Sequence, residues 1–257
     1  MMRTTAIFLV ALATMPGAAA AGAFWDGIER TGSSLSYGLN FHDDDDAEPF
    51  VENYTQSLVY RMDYALGGDW SLGVSLGYVH ETYEADYYSE RFSIGFFPSM
   101  RVGAGDIGAY FIAGTNTSTP EQEYGIQGSY DFGAVSFEGY AGVFLDDGDA
   151  EGTLGAALRY PVLEGLDVYA IHRRDYFDSG FDGLTTLGVA YALSGGDSGP
   201  SSLPPLFVSL EASKFHDQGS SLFGSGWQQY SISVSYVFGG DRPSDFRGVR
   251  TVDYFYD

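Results

Sequence analysis

The residues that could do chemistry in this chain are four histidines, two dense runs of carboxylates and a set of charges scattered through its alternating segments. His42, His80, His172 and His216 fit no compact ligand or catalytic pattern, with neither H-E-x-x-H nor a pair at helical spacing. No catalytic residue and no bound cofactor is expected from them. The run Asp43, Asp44, Asp45, Asp46 with Glu48, and the cluster Asp146-Asp-Gly-Asp149 with Glu151, offer hard oxygen donors that could attract Ca2+ or Mg2+. Neither follows the twelve-residue calcium loop, so solvated acidic loops are the simpler expectation. Gly103-Ala-Gly105 is followed by an extended pattern, which leaves it without the helix N-terminus that a phosphate cradle needs. Asn53-Tyr-Thr55 and Asn116-Thr-Ser118 match a glycosylation acceptor, which has meaning only in a eukaryotic secretory pathway.

The elements that would position these residues are strands. In Gln229-Tyr-Ser-Ile-Ser-Val-Ser-Tyr-Val-Phe238, the set Tyr230, Ile232, Val234, Tyr236 and Phe238 alternates with Gln229, three serines and Val237. Trp70, Leu72, Val74, Leu76 and Tyr78 alternate in the same way with Ser71, Gly73, Ser75 and Gly77. One parity is apolar with aromatics at its ends, and the other is small and polar. Successive strand residues face opposite sides of a sheet, so this is the signature of a sheet with an apolar outer face. On the polar parity fall Arg61, Asp63, Arg91, Arg101, Asp131, Glu138, Arg159 and Glu211, the candidates for lining an interior. They would form either a salt-bridged plug or a selective lining.

Similar segments recur over Leu35 to Phe41, Tyr54 to Leu66, Phe92 to Val102, Ile107 to Thr115, Tyr124 to Phe132, Val135 to Leu145, Thr153 to Val162, Leu166 to Arg173, Leu184 to Leu193 and Leu206 to Phe215. With the two above, about twelve strands are expected. Short Gly-rich breaks at Gly67-Gly-Asp69, Gly103 to Asp106, Phe132-Gly-Ala134 and Leu163-Glu-Gly165 read as tight turns, where glycine supplies positive φ. Longer polar connections fall between them, at 42–53, 80–90, 116–123, 146–152, 174–183 and 216–226. Ser194 to Pro205 is long where this alternation asks for a turn.

Composition sets the outer bounds. Arg3, an apolar run over Ala6 to Ala13 and small residues from Gly17 to Ala23 read as a secretory signal peptide, too short in its apolar core to span a bilayer as a helix. Residues 1–23 are assigned to it, 24–238 to one all-β domain and 239–257 to a polar tail. With no cysteine, an exported chain has no disulfide framework and needs a large core or closed hydrogen bonding. The formal charge of −23 disfavours nucleic acid.

In its alternating strands and paired short and long connections the chain resembles bacterial outer-membrane β-barrel proteins of the porin-like class over its whole mature length. The resemblance implies a single-chain transmembrane antiparallel up-and-down barrel in a Gram-negative outer membrane, with both ends periplasmic. It implies outer-membrane lipid and lipopolysaccharide as surroundings, and the barrel assembly machinery as a partner during biogenesis. That machinery reads a final strand ending in an aromatic residue. Tyr236 and Phe238 fit, although the chain continues to Asp257. The function implied is a monomeric channel for small solutes or cations. A non-conducting barrel that binds divalent cations or surface polysaccharide is a rival reading. A lipid-modifying hydrolase is a second rival, and its mark would be a serine–histidine pair at the outer rim. No segment matches the outer-membrane phospholipase or lipid A deacylases, so no catalytic residue is carried over.

Overall fold

Backbone polar groups inside a bilayer need partners within the protein, which only a helix or a closed sheet supplies. The chain takes the second solution. The structure, a computed structural model, describes residues 28–43, 54–83, 87–116, 119–146, 149–177, 180–193, 206–216 and 228–238. Among the described residues there are twelve strands and no helix: β1 Glu29–Asp43, β2 Tyr54–Gly67, β3 Trp70–Tyr83, β4 Tyr87–Val102, β5 Gly105–Asn116, β6 Thr119–Asp131, β7 Ser136–Asp146, β8 Asp149–Leu163, β9 Leu166–Phe177, β10 Gly180–Ala192, β11 Leu206–His216 and β12 Gln228–Phe238. Each strand pairs antiparallel with its sequence neighbours, and β1 pairs with β12 from Ser33↔Phe238 to Asp43↔Gln228, which closes the barrel. Residues 1–27 and 239–257, covering the expected signal peptide and tail, lie outside the described residues.

Burial alternates along the strands. Trp70, Ile107, Ile126, Leu158, Leu187 and Leu210 are among the large apolar side chains left exposed. Gln127, Arg159 and Thr186, each next in sequence to one of these, are buried, as are Ser75 and Ser213. An apolar exterior around a polar interior suits lipid outside and water within. The core of this molecule is therefore its inner wall.

The turns at one end are tight. Gly67, Gly68, Gly103, Gly133 and Gly165 have φ between 60° and 97°, a region that side chains with a Cβ avoid. At the other end the strands run further than the polar composition suggested. His80 pairs with Glu90 and Tyr83 with Tyr87, so the expected connection 80–90 is mostly a hairpin. In the same way β5 and β6 are separated only by 117–118, β7 and β8 by 147–148, and β9 and β10 by 178–179. Strict alternation of short and long connections does not hold. The ladder needs only backbone groups, and polar side chains continue it in water beyond the apolar belt. The connections 44–53 and 217–227 at this end are long, and so is 193–205 at the turn end. Leu193 N–H donates to the Leu206 carbonyl at 2.7 Å across the last of these.

Candidate functional site

The inward positions form two unlike walls. Along β10, β11, β12, β1, β2 and β3 the lining is hydroxyl-rich, and cross-strand hydroxyls pair: Ser36 with Ser235 at 2.8 Å, Ser209 with Ser233 at 2.5 Å, and Thr186 with Ser213 at 2.7 Å. Along β4 to β9 the lining is aromatic. Phe97, Tyr110, Ile112, Tyr140 and Ala157 form one buried cluster, with Ile171 packed against it. Tyr110 and Tyr140 meet edge to face, with ring centroids 6.0 Å apart, a geometry that puts a positive ring edge on a negative ring face.

The large inward side chains lie along the wall instead of across the lumen, because glycines on neighbouring strands leave space for them. Tyr110 shares its row with Gly125 on β6 and Gly142 on β7. A Cβ at either glycine would run into its ring or hydroxyl. Flattened there, Tyr110 donates a hydrogen bond to Glu123 Oε1 at 2.7 Å. Tyr140 lies over Gly155 on β8. Tyr169 lies over Gly188 on β10 and reaches β11, donating to Glu211 Oε1 at 2.5 Å. Arg61 bends toward Gly73 on β3, where a Cβ would stand 2.6 Å from its Nη2, and its guanidinium sits 5.3 Å from the Phe97 ring centroid on β4. These four side chains lean toward higher-numbered strands.

Charge on the inner wall is largely tied down. Arg61 donates to both Asp63 oxygens from Nε at 3.0 Å, and its Nη2 lies 2.6 Å from Oδ1. Arg159 is 3.4 Å from Asp167 and 4.7 Å from the Tyr169 ring centroid, so Arg159, Asp167, Tyr169 and Glu211 make one network across β8 to β11. Arg173 Nε is 3.1 Å from Asp175. Of the residues singled out from sequence, Arg61, Asp63, Arg159 and Glu211 enter these networks. Arg101 stands opposite Asp106 and Glu138 opposite Ser129 near the turn end, with Asp131 one inward step beyond Ser129. Arg91 occupies an inward position opposite Val79 toward the other end, and its Nε and Nη1 are buried without a hydrogen-bond partner among the described residues. Sequence reasoning missed Tyr110, Glu123, Tyr140, Tyr169, Asp167, Arg173 and Asp175. Their inward parity was readable, and so were the cross-strand glycines, but pairing them needs the register.

Among the described residues no group of three or more histidine, aspartate and glutamate side chains could hold a metal. Asp43 closes β1, while Asp44, Asp45, Asp46 and Glu48 lie outside the described residues. His42 pairs with Gln229. His80, on the outer parity, stands 3.8 Å from Glu90. His172 and His216 converge from β9 and β11 on the Thr185 hydroxyl of β10, at 2.9 and 3.1 Å, on the barrel's outer face. A hydroxyl between imidazoles invites an acyl-transfer reading, which also needs a carboxylate or amide orienting the base. The outward positions of β8 to β12 carry no Asp or Glu among the described residues.

No protein-family profile and no curated protein matches the chain at the level of sequence. Solved structures do match in three dimensions. The KdgM porin, also solved in complex with disordered oligogalacturonate, aligns with a TM-score of 0.58 at 12% identity, covering 80% of this chain and 99% of that one. The NanC porin aligns with a TM-score of 0.59 at 8% identity, covering 79% and 98%. The fold is that of the porin barrels. At these identities the likeness extends to the architecture, and the lining has to be read from this chain's own residues.

Proposed function

We propose that this protein is an outer-membrane porin-like channel that passes small cations or neutral polar solutes. The observation that carries the reading is the flattening of Tyr110, Tyr140, Tyr169 and Arg61 against the wall over glycines. A barrel of twelve strands spaced about 4.8 Å and tilted near 40° has a backbone diameter of roughly 24 Å. Side chains lying along such a wall leave a central passage, whereas the same side chains standing radially would cross it.

The charge of the lining supports the solute class. Arg61, Arg91, Arg101, Arg159 and Arg173 share the inner face with a larger number of carboxylates: Asp63, Glu81, Asp106, Glu121, Glu123, Asp131, Glu138, Glu151, Asp167, Asp175 and Glu211. A passage with this balance concentrates cations. KdgM is described with a polyanionic sugar chain, and an acidic lining disfavours such a solute here. Facing hydroxyl and aromatic walls also suit neutral polyols, which hydrogen-bond to one side and stack on the other. In this reading residues 1–23 direct export, the chain ends and the tight turns are periplasmic, residues 239–257 follow as a periplasmic tail, and the barrel acts as a monomer.

Reconstitution of purified protein into planar bilayers tests the proposal. Discrete conductance steps with a zero-current potential of cation-selective sign in a salt gradient are expected. Absence of reproducible steps would favour the non-conducting barrel, and an anion-selective sign would overturn the assigned role of the lining.

A further inference from the structure

The outer face carries a feature that conduction does not use. On three adjacent strands the register sets two rows side by side: His172, Thr185 and Lys214 in one, and Arg174, Gly183 and His216 in the next. Imidazole or cationic groups stand at the four corners, on β9 and β11. The middle strand contributes a hydroxyl and a glycine. A Cβ at Gly183 would already be 3.7 Å from His172 Cε1 and 4.0 Å from His216 Cδ2, so the two rings approach each other over a floor without a side chain. Arg174 is held with its guanidinium 4.2 Å from the Phe181 ring centroid, and its Nε is buried without a hydrogen-bond partner among the described residues. His216 is 6% exposed, and its Nδ1 is likewise buried without such a partner.

In a chain of formal charge −23 this concentration of donors is out of keeping with its surroundings. It also sits at a particular height. One inward step along the same strands the outer row becomes Leu158, Ala170, Leu187 and Ala212, and the next brings Val168, Val189 and Leu210. A concavity runs over these side chains, where the alanines fall between leucines. Successive outward residues are about 6.6 Å apart along a strand, so the donor cluster lies directly above an apolar trough, at the strand ends away from the tight turns.

We infer that His172, Thr185, Arg174, Lys214 and His216 form an outward-facing binding site for the phosphate of an outer-leaflet lipid, the phosphorylated glycolipid lipid A, with an acyl chain in the trough below. Guanidinium and ammonium groups bind phosphate oxygens by charge-assisted hydrogen bonds, and the Arg174 guanidinium has a nitrogen without a partner among the described residues. The assignment rests on the outer-membrane reading above, because the loop end must face the outer leaflet.

Native mass spectrometry of the full-length protein in detergent, titrated with bisphosphorylated lipid A, tests this. One lipid is expected to be retained saturably. Arg174→Gln and Lys214→Gln are each expected to weaken retention about tenfold, the scale of one charge-assisted hydrogen bond. Arg30→Gln, at the opposite end of the barrel, is expected to leave it unchanged. Dephosphorylated lipid A on the wild-type protein is expected to bind at least as poorly as the variants bind the parent lipid, which keeps the test valid if a variant fails to fold. Equal retention of phosphorylated and dephosphorylated lipid would overturn the site, as would unchanged retention by both folded variants. Displacement of the lipid by an equal concentration of inorganic phosphate would show a simple anion site instead. Recovery of deacylated lipid would replace binding by hydrolysis at Thr185. Conductance is measured separately, so steps without lipid retention reject this site alone, and lipid retention without steps rejects the channel alone.

Discussion

Tyr169 lies across β10 because residue 188 has no side chain. Gly188→Val therefore places a branched group where the ring now rests. The ring must turn toward the lumen, abandon its hydrogen bond to Glu211 and give up its contact with the Arg159 guanidinium. Overpacking of this kind costs about 1–3 kcal/mol, so a lower urea midpoint in lipid vesicles is expected together with a smaller single-channel step. Adding Tyr169→Ala to Gly188→Val is expected to restore the step, since the obstruction is then gone. A double variant that still conducts less than the parent would show that the glycine matters for some other reason. Tyr169→Phe isolates the hydroxyl. It removes one hydrogen bond to a carboxylate and is expected to lower stability by about 1.5–3 kcal/mol, while the step size is retained because the ring stays over Gly188.

At the scale of the strand, facing is decided by parity alone, and adjacent positions should respond oppositely to the same substitution. Ile126 is 64% exposed in the middle of β6, and Gln127 beside it is buried on the inner wall. Ile126→Arg puts a charge into hydrocarbon and is expected to cost about 2–4 kcal/mol in vesicle unfolding. Gln127→Arg is expected to leave the barrel intact and move the zero-current potential toward anions. This parity was legible in the sequence, and so was the count of twelve strands. Hairpin height was not. Asn116↔Thr119 and His80↔Glu90 are ladder pairs built from residues that read as loop, and Pro120 and Glu121, also read as loop, pair with Thr115 and Gly114. Beyond the apolar belt both strand faces meet water, and the alternation that reveals a strand fades while its backbone bonds persist. Cross-strand partnership was hidden for a different reason. That Tyr169 meets Gly188, or that His172 and His216 share Thr185, depends on register between segments joined by loops, and a period-two pattern specifies which face a residue takes but not which row.

For the molecule as a whole, selectivity should come from an accumulated field instead of one binding residue. The ion pairs Arg61–Asp63, Arg159–Asp167 and Arg173–Asp175 cancel locally and hold the lining in shape. Glu81, Glu121, Glu123, Asp131, Glu138 and Glu151 add further inward carboxylates, distributed from one end of the barrel to the other. Their influence extends over a Debye length, which is about 10 Å at 0.1 M salt and about 3 Å at 1 M. A passage left inside a backbone cylinder of roughly 24 Å is comparable with the first length and wider than the second. At low salt the fields of opposite walls overlap at the axis and exclude anions throughout the cross-section. At high salt each wall governs only its own surface, and the axis carries both ions. The zero-current potential is therefore expected to fall steeply between 0.1 M and 1 M mean salt while conductance per unit salt approaches that of an uncharged pore. Glu123→Gln combined with Glu138→Gln should flatten this dependence from the low-salt side and leave the high-salt value unchanged. A filter with one tight cation site would behave differently, keeping its selectivity at 1 M, because a directly coordinated ion is not screened by the bath. Salt-independent selectivity in planar bilayers would therefore move the explanation from the distributed wall charge to a single constriction lined by carboxylates.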